Sequence, residues 1–295
     1  MKTVLIIGKN GQVSTYLQNA LKGNFEVVVA ERDQIDLSKL DQIQPALQKI
    51  NPSLIINPAA FTAVDLAEDE SELAFTINRD AVKELATYCS KTQTPLIHFS
   101  TDYVFAGDAE AAYTEIDQAA PTGVYGESKL AGEKEALKSG APAIVLRTSW
   151  VYSNHGKNFY KTMLALAATR NELSVVADQV GAPTYAGSIA EATKKLVEII
   201  FNQGQIEDSQ KGVYHLTCGG QTSWAEFAKA IFVENQKDAM TVNSITTDEY
   251  PTPAKRPAFS VLNNDKLQAV FGVSLPTWQD ALGECVEETK LGNNK

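Results

Sequence analysis

The sequence predicts an α/β protein: a doubly wound parallel sheet followed by a second, smaller α/β domain. Three observations carry that prediction. Short apolar runs alternate with longer amphipathic stretches through the first half, the rhythm of strands joined by crossover helices. The first run stops at a glycine turn, Gly8-Lys9-Asn10-Gly11, as a strand feeding a helix does. Past Trp150 the rhythm loosens and prolines collect in the connections, which places a change of domain near residue 150.

Strands are expected at 3–7, 25–30, 53–57, 95–99 and 143–147, each a short apolar run suited to a sheet covered on both faces. Helical patterns fill the intervals at 11–22, 38–50, 72–91 and 124–138, so every connection is a right-handed crossover. In the second half, helices are expected at 158–170, 187–201, 224–235 and 278–289. Val213-Tyr214-His215-Leu216 reads as a strand that could return to the main sheet. Residues 248–257 carry Pro251, Pro253 and Pro257 with Lys255 and Arg256 between them, which resists helix and sheet alike and predicts an ordered surface loop. The expected division is therefore 1–150 for one domain and 151–295 mainly for the other, with a segment near 213–217 rejoining the first.

The 295 residues are 44% hydrophobic and 21% charged, as in a soluble globular enzyme, and suffice for one large or two modest cores. Asp and Glu number 36 against 26 Lys and Arg, a formal charge of −10, which disfavours nucleic acid or anionic lipid as partner. Any anionic ligand must then meet local positive groups. Cys89, Cys218 and Cys285 are scattered, without the paired spacing of zinc sites or disulfide frameworks, which points to a reducing cytoplasm. No run approaches the ~18 apolar residues of a spanning helix, so neither export nor a membrane anchor is expected. His98, His155 and His215 lack metal-ligand spacing and read as structural.

The glycine turn lies where backbone N–H groups and a helix start can hold a pyrophosphate, the Rossmann arrangement. Gly8, Asn10, Gly11, Gln12 and Val13 are the candidate residues, with Ser14 where a third glycine would stand. About 20 residues on, where a ribose-binding acid is expected, the chain reads Ala30-Glu31-Arg32-Asp33. Glu31 suits the free ribose hydroxyl of NAD and Arg32 the extra phosphate of NADP, which leaves the cofactor open. Asp36 and Leu37 are candidates for the adenine side, although Asp36 and Ser38 also suit a helix N-cap. Ala59, Ala60 and Thr62 follow a strand end, where small side chains let a cofactor lie against backbone.

Tyr125 and Lys129 stand four positions apart on an expected helix, hence on one face. A phenol titrates near pH ~10, so it needs an adjacent cation to exchange protons at neutrality. Upstream, Ser100-Thr101-Asp102-Tyr103 ends an apolar run. With the glycine turn, this order of motifs resembles the extended short-chain dehydrogenase/reductase superfamily. Longer strings narrow it: Asn57-Pro58-Ala59-Ala60-Phe61-Thr62-Ala63-Val64-Asp65, Ser100 to Phe105, Arg147-Thr148-Ser149-Trp150-Val151-Tyr152, Gly156-Lys157-Asn158-Phe159, Asp178 to Thr184, and Pro253-Ala254-Lys255-Arg256-Pro257. These resemble the dTDP-4-dehydrorhamnose reductase family across nearly the whole chain.

That resemblance implies reduction of the 4-keto group of a dTDP-linked 6-deoxyhexose by NADPH, with NADH as the other candidate. It implies Tyr125 as proton donor, Lys129 lowering the Tyr125 pKa and binding the cofactor ribose, and Thr101 donating to the same substrate oxygen. It places Val64 and Asp65 at the sugar. Tyr103, Trp150, Asn158 and Arg256 complete the expected substrate site, with Trp150 as a flat wall and Arg256 on the pyrophosphate; Lys161 is a secondary candidate. Some relatives bind magnesium between subunits through acidic side chains, but Tyr16 and Gly187 stand at those places, so no required metal is expected and the protein is read as a monomer or homodimer. The other readings are a nucleotide-sugar epimerase or dehydratase, and a non-catalytic regulatory subunit resembling the β subunit of methionine adenosyltransferase.

Overall fold

The computed structural model describes residues 1–293. In chain order the elements of the first half are β1 (Thr3–Ile7), α1 (Gln12–Leu21), β2 (Glu26–Ala30), α2 (Leu40–Ile50), β3 (Leu54–Asn57), α3 (Val64–Asp69), α4 (Ser71–Phe75), α5 (Ala81–Thr92), β4 (Leu96–Thr101), α6 (Val124–Lys138) and β5 (Ala143–Thr148). The second half contains β6 (Val151–Tyr152), α7 (Phe159–Ala167), β7 (Glu172–Val176), β8 (Val180–Gly181), β9 (Thr184–Tyr185), α8 (Ala186–Gln203) and β10 (Gly212–His215). It closes with β11 (Thr222–Ser223), α9 (Trp224–Glu234), β12 (Thr241–Ile245), α10 (Asp265–Phe271) and α11 (Trp278–Asn293).

The central sheet has six strands in the order β10-β5-β4-β3-β1-β2, and every pair in it is parallel. Alternation along each strand divides its residues between two cores. Val4 and Ile6 face α1, α8, α9 and α11, while Leu5 and Ile7 face α2, α5 and α6. The chain leaves β1 toward β2 and then returns to β3 on the other side of β1, so a crevice opens at the strand ends there.

The helix expected over 72–91 is divided. A π-helical turn, Thr76–Asp80, separates α4 from α5. It turns Asn78 inward, where the side chain bonds Phe61 N (2.8 Å), Phe61 O (3.1 Å) and Ser128 Oγ (3.0 Å). One amide thereby ties the loop after β3 to α6, a common use of such an insertion beside a functional site. The strands β7 and β12 pair in parallel outside the main sheet; neither was expected from sequence, although Leu173 and Val175 of β7 alternate with exposed residues and enter the core.

Strand β10 pairs with β5 at the edge of the main sheet, and α8 packs on α1, so the second half is interleaved with the first. No described helix is long and apolar enough to cross a membrane. All three cysteines are free and buried.

Candidate active site

At the crevice, Gly8 adopts φ +82°, and a Cβ there would also approach Ala59 Cβ to 3.2 Å. Both its backbone angle and its neighbour require glycine. Ser14 donates its hydroxyl to the Gly8 carbonyl, so the residue in the third-glycine position locks the turn. A cavity of about 580 Å³ opens beside the turn, lined by Gly8, Asn10, Glu31, Arg32, Asp36, Leu37, Ala59 and Ala60 among others. Lys9, not anticipated from sequence, also lines it and pairs with Glu31 at 2.7 Å. Arg32, whose side chain is 82% exposed, reaches Asp36 at 3.2 Å. Asp36 also accepts from Ser38 N at 3.0 Å within the turn before α2, whose N-cap is Lys39 without a side-chain cap bond, so the capping role its sequence context allowed is not formed.

Gly11, Gln12, Val13 and Thr62 are outside that lining. Gly11 is the N-cap of α1 and Val13 packs on the core. Gln12 spends its side chain on the second half: Oε1 accepts from Ser153 Oγ and Asn158 Nδ2, each at 2.8 Å, and Nε2 donates to Val151 O at 3.3 Å.

The reactive motif is set at the start of α6. Two glycines bring the helix close: a Cβ on Gly126 would collide with the Tyr103 carbonyl oxygen, and one on Gly132 with that of Asn78. Ser128 donates to Tyr125 O at 2.8 Å while accepting from Asn78. Glu133 grips Arg147 of β5 through two bonds of 2.9 and 2.7 Å, a buried bidentate pair that fixes helix against sheet. Lys129, 2% exposed, donates to Phe99 O of β4 at 2.6 Å, and burial pulls its pKa down to about 8 against the opposing effect of Glu133.

Thr101 ends β4, accepts from Tyr103 N at 3.2 Å and donates to Asp102 Oδ1 at 3.0 Å. Tyr125 packs edge-on to Tyr103, with ring centroids 5.5 Å apart. Burial raises the Tyr125 pKa; a hydrogen bond with Thr101 acts in the opposite direction, and the charges of Asp102 and Tyr103 raise it further. Lys129, whose ammonium donates to the Phe99 carbonyl, is not among the groups that shift the Tyr125 pKa here.

The larger cavity, about 920 Å³, is lined by Asp65, Asp102, Tyr103, Trp150, Trp224 and Arg256 among others. Trp150 adopts φ +48°, unusual outside glycine, and stacks on Trp224 with centroids 3.5 Å apart and planes 7° from parallel. Gly181 lies against Trp150, where a Cβ would collide with the indole. Trp224 went unnoticed in the sequence; its only signal was an aromatic following Ser223, the N-cap of α9. Arg256 meets Asp65 at 2.7 Å, and its other terminal nitrogen, Nη1, is buried without a partner.

Thr101, Tyr125 and Lys129 line neither cavity; their neighbours Asp102 and Tyr103 form the wall of the larger one. Val64, at the start of α3, is also outside both. Asn158 is placed elsewhere than expected. Its Oδ1 caps α7 by accepting from Lys161 N at 3.0 Å and its Nδ2 bonds Gln12, so both ends of the amide are engaged in structure. Tyr16 donates to Glu288, and a Cβ on Gly187 would collide with the Tyr185 ring. Among the described residues no group of three or more His, Cys, Asp or Glu has metal-binding proximity.

The comparisons with known proteins agree over nearly the whole chain. The RmlD substrate binding domain family matches residues 1–291. The dTDP-4-dehydrorhamnose reductase of Sinorhizobium fredii is 41% identical over 94% of each chain. The spore coat polysaccharide biosynthesis protein SpsK of Bacillus subtilis is 35% identical over 98% of each. A crystal structure of dTDP-4-dehydrorhamnose reductase from Bacillus anthracis in complex with NADP superposes with a TM-score of 0.90 at 35% identity, covering 98% of this chain and 100% of that one. The dTDP-glucose 4,6-dehydratase of the same organism, at 16% identity and a TM-score of 0.78, shares the fold. On these grounds the chain belongs to the dTDP-4-dehydrorhamnose reductase family.

Proposed function

We propose that this protein reduces the 4-keto group of dTDP-6-deoxy-L-lyxo-4-hexulose to dTDP-L-rhamnose with NADPH, NADH being the alternative donor. The observation that carries the reading is the Thr101, Tyr125 and Lys129 set at the ends of β4 and α6, in a chain whose relatives bear that activity. The nicotinamide cofactor supplies the hydride when bound. Its pyrophosphate fits the crevice at Gly8, where no Cβ intervenes and the start of α1 presents N–H groups. Glu31 is already held by Lys9 while Arg32 is exposed, which favours a 2′-phosphate and thus NADPH.

As charge develops on the C4 oxygen, Tyr125 gives it a proton. Lys129, charged below about pH 8, supplies the positive charge at the cofactor side of the phenol. Thr101 keeps the phenol in place. Asp65 and Tyr103 face the sugar, Trp150 walls it, and Arg256 leaves Asp65 for the pyrophosphate.

We divide the chain into a cofactor-binding part, 1–150, and a mainly substrate-binding part, 151–295, with β10 in the sheet of the first. The buried free cysteines support a cytoplasmic setting. The oligomeric state is taken as monomer or homodimer, which mass measurement in solution decides. The activity is tested with purified protein, the ketosugar and each nicotinamide. Loss of nicotinamide absorbance with formation of the dTDP-deoxysugar is expected; no turnover with either nicotinamide in protein that binds both ligands overturns the reading. Tightly held NAD and conversion without net oxidation would instead indicate an epimerase or dehydratase.

A further inference from the structure

The helix that carries Tyr125 begins without a cap of its own. Gly123 is the N-cap of α6 and has no side chain, so the first N–H groups of that helix need acceptors from elsewhere. One comes from a different helix: Glu68 of α3 accepts from Val124 N at 3.0 Å, and Val124 is the residue before Tyr125. Gly123 leaves the room for this approach, since a Cβ there would stand 2.8 Å from Glu68 Oε1. The Gly123 backbone is extended, with φ −158° and ψ 165°, so it is the neighbouring carboxylate and not the local turn that uses the missing side chain. A negative charge at this end of α6 also complements the helix dipole. Asp65, one helical turn before Glu68 in α3, holds Ala254 N and Arg256 of the proline-rich loop. One short helix therefore touches both the loop assigned to the sugar nucleotide and the start of the reactive helix.

We propose that Glu68 is a positioning residue for the reduction: by capping α6 at Val124 it holds the first turn of that helix, and with it the Tyr125 phenol, where the phenol reaches the substrate oxygen. Glu68 lines neither cavity and moves no proton. Its effect is on the share of molecules in which the phenol is in place, because a frayed first turn displaces the residue that follows Val124. The remainder of that turn is held from the other side, by the close approach of Gly126 to the Tyr103 carbonyl and by the Ser128 hydroxyl on Tyr125 O, which leaves the Val124 end to Glu68. This deepens the reading of Tyr125 as proton donor and rests on it.

The test measures kcat, KM for the ketosugar and NADPH affinity for each protein, with the melting temperature as a check on folding. Glu68→Ala is expected to lower kcat roughly threefold to tenfold, the scale of one lost capping bond, with KM and NADPH affinity within about twofold of the unmodified enzyme. Glu68→Gln, which keeps an acceptor oxygen for Val124 N and gives up the charge, should recover most of that loss and guards against misfolding of the alanine variant. Gly123→Ser in the Glu68→Ala background supplies a cap from α6 itself, in the space the carboxylate has left, and should restore kcat as well. Recovery in either variant supports the proposal, since a serine on α6 replaces nothing that Glu68 does for α3 or for the net charge. An unchanged kcat in Glu68→Ala, a loss seen mainly in KM, or a loss that neither variant repairs overturns it. Retention of turnover by Tyr125→Phe overturns the parent reading as well, whereas loss in Tyr125→Phe with unchanged kcat in Glu68→Ala overturns this proposal alone.

Discussion

At the scale of single residues, the site is dominated by burial. The phenol of Tyr125 is pushed above its ordinary range and the ammonium of Lys129 below it, so each is nearer its uncharged form than it would be in water. A half-buried, desolvated phenol is a proton reservoir: it retains its proton until the substrate oxygen becomes basic. Tyr125→Phe is accordingly expected to lower turnover by roughly 10²-fold or more while leaving NADPH binding unchanged, as checked by steady-state kinetics and a fluorescence titration. Asp102 carries a measurable cost. Burial raises its pKa from 3.8 to about 6, so in the folded protein it holds its proton at pH values where the unfolded chain has lost it. Its contribution to stability is thus fully present below pH 3.8 and lost as pH rises through about 6. At neutral pH the residual penalty is on the order of 2 to 3 kcal/mol. Denaturant unfolding of Asp102→Asn against the unmodified protein should show a stability difference that grows in favour of the variant between about pH 4 and pH 6 and is flat above that.

At the scale of elements, the reactive groups are placed by backbone approach. Helix α6 comes against Tyr103 and against the π-helical turn because Gly126 and Gly132 have no Cβ, and the Glu133–Arg147 pair then holds its register on β5. The start of α7 is fixed in a different way. Asn158 caps the helix and reaches Gln12 at the start of α1, so an apparent site residue is a clasp between two helix starts. Asn158→Ala should therefore cost about 1 kcal/mol from the lost cap, and more from the lost bond to the Gln12 carbonyl, which keeps Ser153 as a partner, read as a fall in melting temperature. The KM for the ketosugar should stay within about twofold. A large rise in KM at unchanged stability would return Asn158 to the substrate site.

At the scale of the whole molecule, the larger cavity forms where distant segments meet. Asp65 at the start of α3 holds both Ala254 N (3.1 Å) and the Arg256 guanidinium of the proline-rich loop, two partners 189 and 191 residues away. In a chain of net charge −10, Arg256 and Arg170 bring positive charge to the larger cavity, and Arg256 is already oriented by Asp65. Arg256→Ala is expected to raise KM for the dTDP-sugar roughly tenfold or more, the loss of a charge-assisted pair, with NADPH affinity unchanged. Equal loss of affinity for both ligands would move Arg256 from the pyrophosphate to a general structural role.

Much of this could be read from the chain itself, because it is written in short-range patterns. The strands of the central sheet, the glycine turn and the i, i+4 spacing of Tyr125 and Lys129 depend on periodicity and turn chemistry within a few residues. The tertiary structure alone decided the rest: that Trp150 stacks on Trp224, that Arg256 pairs with Asp65, that Asn158 reaches Gln12, and that Lys129 donates to the Phe99 carbonyl. Each of these depends on which surfaces meet once two cores have formed, and no local pattern encodes the direction of a side chain toward a segment 30 to 191 residues away. The pKa values follow the same rule, since burial is a property of the packed molecule.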